Sequence, residues 1–404
     1  MQPGLLSNGI VEQSPIRVCF PFVGDTVGGS HISTLLLIRN LDRGRFAPLI
    51  VLHEEGPLSK LLREQNIDYE LHPISHYPTG KWGHRWRDVR NLIVTIPRCC
   101  GFLRSRHISI VHTNDNRMHL TWAVPARLAG ARFIWHQKSK FIRGRVFHWM
   151  ERLAHRLVTV SNYTANTLQD PVALKKLQII VPPFEIDSDL PDRSAAKAAL
   201  LTELDQPRGT LVVGFFGNLL ERKRPVVFSR AAGYILAAHG PGIVFPVFGA
   251  ERGDQVEFLK VQVTEFGLND HVRLMGFRYP VEPWMAACDL ILAPAIEEPF
   301  GRTLIDAMLV GTPVIASDSG GHREIIQGAE TGILVPPDDP KAFADAALRL
   351  LRAPDTARVM AEKAMSFVRA TYSAQQHARA ISRLYDEVMS VGGRVKPAPA
   401  AVPD

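Results

Sequence analysis

The chain is poor in the residues that would point to a stapled or metal-held fold. It has four cysteines in 404 residues, Cys19, Cys99, Cys100 and Cys288, and none forms a CxxC pair. Cys19 and Cys288 sit in apolar, strand-like runs, which suits reduced core thiols better than disulfides or structural zinc. No HExxH spacing occurs, so a helical histidine zinc site is not expected. No apolar run approaches the 18 residues that a membrane-spanning helix requires. The opening MQPGLLSNGIVEQSP lacks the basic start and apolar core of a signal peptide, and residues 1–15 read as a flexible lead-in. No GxGxxG fingerprint is present.

What remains is a globular composition: 46% hydrophobic and 22% charged residues, long enough for two domains. The net charge of +7 is unevenly spread. Between Lys81 and Arg156 stand 16 Lys/Arg against three acidic residues, leaving the rest of the chain net acidic. Such asymmetry marks a surface for an anionic partner. Within it, Lys81-Trp82-Gly83-His84-Arg85-Trp86-Arg87 runs into an apolar stripe at Leu92, Ile93 and Ile96, as an interfacial helix on anionic lipid would. A surface helix packed on the core explains the stripe equally well, but not the tryptophans among arginines. No stacking sheet or recognition helix is visible, so nucleic acid is not expected as a partner.

Short, nearly continuous apolar runs alternate with helical patterns, the signature of parallel sheets covered on both faces. Strands are expected at Ile16–Phe20, Pro48–His53, Ile108–His112, Arg132–His136 and Leu157–Ser161. After Val181-Pro182-Pro183 and a polar, acidic stretch, Asp187–Lys197, the alternation restarts at Leu211–Gly217. It continues at Ile243–Gly249, Val272–Met275, Leu290–Pro294 and Pro313–Ser317. The expectation is α/β with two doubly wound, Rossmann-like domains facing across a cleft. The first spans residues 16–185 and is joined by a terminal helix at 374–389. The second spans 186–372, and 391–404 form a disordered Gly/Pro/Ala-rich tail.

Ligands of such sheets bind beyond the carboxyl ends of the strands. Gly28-Gly29 follows the first strand and opens a helix whose N–H groups would receive an anion, although a plain glycine turn needs the same residues. Gly217-Asn218-Leu219-Leu220-Glu221-Arg222-Lys223-Arg224 follows the first strand of the second domain. Three cations there precede a helix started by Pro225, where the dipole disfavours them, and a bound diphosphate would offset the repulsion. Lys223 is the best placed phosphate ligand; a solvated charge cluster is the duller alternative. His136 and His112 end strands, with Lys138 and Lys140 beyond the former, and a hydrogen-bonded structural histidine fits as well as a catalytic one. Gly320-Gly321-His322-Arg323-Glu324 resembles the first glycine loop and is expected to open toward the cleft. Asp187-Ser188-Asp189 is a DxD in the linker, read as solvated. In EEPFGRTLIDAMLVG, Glu298 and Asp306 lie eight positions apart around the Phe300-Gly301 turn, so a loop carboxylate and a helix carboxylate can face one cleft.

These pieces together resemble the GT-B fold glycosyltransferases of the large retaining family called GT4. The Glu298–Asp306 pair is similar to that family's E-x7-E motif. Gly28-Gly29, IWHQ around His136, VTVSNYT, GNLLERK, AACDLILAP, GGHREII and TGILVPPDD support it across nearly the whole chain. The resemblance implies that Glu298 holds a donor-sugar hydroxyl, assisted by N–H groups around Phe300 and Gly301. It implies that Asp306 holds the ribose hydroxyls, that Lys223 and Gly29 bind the diphosphate, and that His136 lies by the reacting sugar. Two departures stand out: Asp306 replaces the family's usual Glu, and Asn218 stands where an Arg commonly grips the diphosphate, a task Arg222 or Arg224 could take. The implied function is retaining transfer from a UDP- or GDP-sugar to a glycan or lipid-linked acceptor, in surface polysaccharide or glycolipid assembly, on the cytoplasmic face of the membrane. No cofactor or metal is expected. A same-fold epimerase or phosphorylase, or a non-catalytic scaffold, is the alternative.

Overall fold

A computed structural model of the protein describes residues 14–74, 77, 85–186, 189–251 and 254–390, with only the backbone for 85–93. Two all-parallel sheets carry the chain. The first contains β1 (Ile16–Phe22), β2 (Phe46–Leu52), β3 (Glu70–Leu71), β4 (Ile110–Thr113), β5 (Arg132–Gln137), β6 (Arg156–Thr159) and β7 (Leu177–Ile179), in the order β3-β2-β1-β4-β5-β6-β7. Its connections are α1 (Gly29–Asn40), α2 (Pro57–Glu64), α3 (Arg85–Ser105), α4 (Asn116–Ala129), α5 (Arg145–Leu153), α6 (Asn162–Ala165) and α7 (Pro171–Leu174). The second sheet contains β8 (Leu211–Phe216), β9 (Ile243–Phe248), β10 (Val272–Gly276), β11 (Leu290–Ala293), β12 (Val314–Ser317) and β13 (Ile333–Val335), in the order β10-β9-β8-β11-β12-β13. Around it lie α8 (Arg193–Glu203), α9 (Pro225–His239), α10 (Gln255–Glu265), α11 (Glu282–Ala286), α12 (Arg302–Leu309), α13 (His322–Ile325), α14 (Pro340–Leu351) and α15 (Pro354–Thr371). The last helix, α16 (Ala374–Ser390), packs on the first sheet.

Burial on both faces dictates the strand sequences. All six residues of β9 are buried, and no polar face interrupts them. Each sheet accordingly has two cores, one per face. The chain crosses between sheets twice at one place. Phe184 N donates to Tyr372 O at 3.2 Å, and Ala374 N donates to Phe184 O at 3.1 Å. From there α16 buries Ile381, Leu384 and Tyr385 beside Val18, Phe20 and Ile110 of the first sheet.

The polar stretch Asp187–Lys197 is not wholly a linker. Asp192 caps α8, accepting from Ser194 N and Ala195 N. Arg193 donates to Cys288 O at 2.9 Å, and Lys197 pairs with Asp289 at 2.6 Å, so residues that look solvated fasten α8 to the second sheet. Several expectations lie outside the described residues: the lead-in to residue 13, the tail 391–404, the Asp187-Ser188 part of the DxD, all of Lys81–His84 and the side chains of Arg85–Arg87. All four cysteines are buried and free. Among the described residues no helix is long and apolar enough to cross a membrane.

Candidate active site

In each sheet the strand order reverses beside the first strand, between β1 and β4 and between β8 and β11. Crevices open at the carboxyl ends of strands at such points. The two crevices share one cavity of about 700 Å³, whose walls include Gly28 and Gly29 from the first half and Asn218, Arg222, Lys223, Glu298, Arg302 and Asp306 from the second.

On the first wall, Gly28 caps α1 in extended geometry, and its N–H donates to His31 Nδ1 at 3.1 Å. Burial drives the His31 pKa down to about 4, with Lys138 adding to the effect, so the imidazole is neutral at pH 7. Arg302 packs closely on Gly29: a Cβ there would lie 3.3 Å from Arg302 Cδ. Arg302 reaches across from α12, donates to Ser33 Oγ of α1 at 3.1 Å, and stacks 4.4 Å from the Phe184 ring centroid. No motif points to Arg302; its one signal in the sequence is a lone cation at the start of the helical run, where the dipole disfavours it.

On the second wall, the three consecutive cations are already balanced by carboxylates. Arg222 pairs with Glu298 at 2.6 Å and Lys223 pairs with the same carboxylate at 2.9 Å. Arg224, in left-handed geometry at φ 55°, turns away to Asp338 at 2.8 Å. Arg224 therefore cannot replace the missing diphosphate arginine, and of the two candidates only Arg222 is on the wall. Asn218 is held by accepting from Ala250 N at 3.2 Å. Burial opposes charge on Glu298, but the Lys223 ammonium and Arg222 guanidinium overcome it and hold the pKa down to about 2.

Asp306 follows on α12 and lines the cavity. Burial raises its pKa to about 6, the nearby Glu282 adds to the rise, and Arg302, 3.5 Å away, only partly opposes it. The two acidic residues thus meet one cavity in opposite electrostatic settings.

Three expectations need correction. Phe300 and Gly301 do not line the cavity. Phe300 is buried against Phe184 and Tyr372, and a Cβ on Gly301 would come 2.9 Å from His322, so this turn packs inward. The Gly320-Gly321 loop does not open toward the cavity either. A Cβ on Gly320 would lie 2.5 Å from Glu298 O, and Gly321 N donates to that oxygen at 2.8 Å, so the glycines back the Glu298 loop from behind. His136 is also off the wall. Its Nδ1 lies 3.1 Å from His112 Nε2, its ring stacks on His377, and α16 seals the strand end through a 2.6 Å bond between Tyr385 OH and His112 Nδ1. Burial, reinforced by Lys138, keeps His136 neutral.

The VTVSNYT and GGHREII segments meet each other rather than the cavity. Glu324 accepts from Asn162 N at 2.9 Å and from Tyr163 N at 2.7 Å, at the start of α6. Thr164 Oγ1 donates to Pro299 O at 3.1 Å, and Lys140 pairs with Glu297 at 2.5 Å. These contacts dock the first half directly beside Glu298. Among the described residues no group of three or more His, Cys, Asp or Glu is placed to hold a metal.

Residues 199–367 match the family model described as glycosyl transferases group 1. The chain is 31% identical over 230 residues to a D-inositol 3-phosphate glycosyltransferase of Corynebacterium jeikeium, a match covering 55% of each chain. That alignment thus spans about half of the relative's length. It is 31% identical over 256 residues to the lipopolysaccharide core biosynthesis mannosyltransferase LpsB of Rhizobium meliloti, covering 60% of this chain and 69% of that protein. In structure it is similar to Anabaena Alr3699/HepE, solved in complex with UDP and glucose. The TM-score is 0.78 at 20% identity, over 92% of this chain and 99% of that one.

Proposed function

The chain belongs to the group 1 glycosyl transferases and has their two-sheet GT-B architecture, and from that premise we propose that it moves a sugar, with retention, from a UDP- or GDP-sugar to a hydroxyl of a glycan or lipid-linked acceptor. The observation that carries this reading is the meeting of Gly28 and Gly29 with Lys223, Arg222, Glu298 and Asp306 around one cavity. A volume of about 700 Å³ suits a ligand of nucleotide-sugar size.

Breaking the sugar–phosphate bond leaves negative charge on the departing diphosphate. Lys223, Arg222 and the free N–H groups at the start of α1 supply fixed positive charge and donors there, and this reading assigns no metal to the site. Glu298, ionised across the working pH range, accepts a hydroxyl of the transferred sugar. Asp306 accepts from the ribose. The acceptor hydroxyl gives its proton to the leaving phosphate, so no side chain need act as base.

Incubating the protein with UDP-, GDP- and ADP-sugars, with and without acceptor, tests the reading. A nucleoside diphosphate at about 100 times its Kd should stabilise the fold by about 2.7 kcal/mol, and sugar should leave the donor fastest when acceptor is present. Turnover that is indifferent to acceptor would favour an epimerase, and an unchanged melting temperature with every nucleotide would overturn the assignment.

An anionic membrane face is the natural place for a lipid-linked acceptor, and the helix layer α3–α5 offers a basic, partly apolar surface to dock on it. Val94, Leu128 and Trp149 are each more than half exposed on these three neighbouring helices, with Arg127, Arg143 and Arg145 beside them. Each cation near an anionic surface contributes about 1 kcal/mol. Reversing two of them in Arg143→Glu/Arg145→Glu should weaken co-sedimentation with phosphatidylglycerol vesicles by about tenfold or more. Unchanged sedimentation would give this layer another purpose.

A further inference from the structure

Glu298 stands in a circuit of bonds that passes through both halves. From behind, the second half holds the loop: Gly321 N donates to Glu298 O at 2.8 Å, and Glu297 N donates to Ser319 Oγ at 3.0 Å. From the front, Pro299 O accepts from Ser161 Oγ at 2.5 Å and from Thr164 Oγ1 at 3.1 Å, the cap and first turn of α6 in the first half. Ser161 is 1% exposed and Thr164 0%, so water does not compete for that oxygen. Pro299 has no N–H, which leaves its carbonyl as the backbone hook directly after Glu298.

Glu324 completes the circuit. It follows Gly321 on α13 and returns to α6, where one carboxylate oxygen accepts from Asn162 N and Asn162 Nδ2, each at 2.9 Å, and the other from Tyr163 N at 2.7 Å. The four-residue α6 thus has two caps: Ser161 beside it in sequence, through Thr164 N at 3.0 Å, and Glu324 from the other half. Glu297, whose φ of 52° is left-handed, holds a conformation that a glutamate keeps where its surroundings impose it, and Lys140 pairs with it across the same boundary.

These anchors matter most once a diphosphate draws Lys223 and Arg222 to itself. The ion pairs at 2.9 and 2.6 Å that steady Glu298 are then shared, and the loop's backbone decides where the carboxylate points. We propose that Ser161, Thr164 and Glu324 are positioning residues: the first half aims Glu298 at the transferred sugar, so the sugar is gripped while the two halves meet at α6. This rests on the function given above, in particular on Glu298 meeting the sugar. A set of contacts that merely fastened the halves would act independently of Glu298.

The test is a double-mutant cycle read as binding. UDP with UDP-glucose, and GDP with GDP-mannose, are titrated into the full chain as wild type, Glu324→Gln, Glu298→Gln and the double variant. Glu324→Gln keeps the side-chain size but turns an amide NH2 toward a backbone N–H. The sugar nucleotide should then bind about tenfold more weakly, the worth of one charge-assisted bond, while the nucleoside diphosphate, held at Lys223 and Arg222, stays within about twofold. In the Glu298→Gln background the same change should add less than about twofold, because the group it aims is gone. Ser161→Ala, at a separate link of the circuit, should repeat the pattern, with melting curves as the control for folding. Equal weakening of nucleotide and sugar nucleotide, the same loss in both backgrounds, or sugar-nucleotide binding unmoved by Glu324→Gln and Ser161→Ala overturns the positioning role and leaves the transferase reading intact. Failure of all four nucleotides to bind the wild type overturns both.

Discussion

Replacing Lys223 with alanine should lower turnover by about 10²–10³-fold, the loss typical of one fixed donor aimed at developing transition-state charge. Two features make the loss large. The side chain is only 14% exposed, so water cannot easily take over from the ammonium. Its stem runs along Gly217, where a Cβ would already lie 3.4 Å from Lys223 Cδ, so the amine is held by packing rather than sampled from solvent. Arg222, 45% exposed and bound to the same carboxylate, is more replaceable by solvent and should cost less when truncated. Lys223→Ala also removes the stronger of the two attractions that hold the Glu298 pKa near 2, so the acid limb of the pH–rate profile should move upward. The measurement is kcat at saturating donor, with the melting curve as a control for folding. A fall of less than threefold would remove Lys223 from the mechanism.

Asp306→Asn should make the protein more stable while making it a worse enzyme. A carboxyl raised from 3.8 to about 6 in the folded chain binds its proton more tightly there than in the unfolded chain. Its favourable contribution is therefore complete below pH 4 and is lost as pH rises through 6. Above that, the buried charge costs about 3 kcal/mol, the equivalent of just over two pKa units. Asparagine removes the ionisation and keeps an acceptor for Arg302. At pH 8 the variant should melt several degrees higher than the wild type, and the gap should close as pH falls toward 4. A gap independent of pH would mean that the carboxyl titrates normally. Nucleotide binding should weaken at the same time, as expected when a group destabilises the fold because the ligand needs it.

Particular residues show how much of this was legible from the chain. Ile243–Gly249 reads as a buried strand because six apolar residues in a row admit no solvent face, and β9 has that burial. The Glu298–Asp306 spacing puts both groups on one cavity because helical rise and pitch fix where the second carboxylate points. Short edge strands such as β3, two residues long, and β7, three long, gave no run for a pattern to act on. Phe300, Gly320 and part of the Asp187–Lys197 stretch bond at a distance, and their local sequences are equally consistent with an open loop; His136 ends a strand, where a structural and a catalytic histidine look alike.

The sequence by itself determined the parallel α/β class, the two alternating halves, the cationic and acidic groups of the site and the family resemblance. Each of those follows from periodicity, spacing or a short motif, and needs no knowledge of distant neighbours. Tertiary structure alone decided which candidates face the cavity. Tyr385 lies 273 residues from the His112 it caps, Glu324 lies 162 from the Asn162 it binds, and Arg302 lies 269 from Ser33. Contacts at such separations are set by how whole elements pack, and no local pattern records them. The same packing turned His136 inward and brought Arg302 across to the first half.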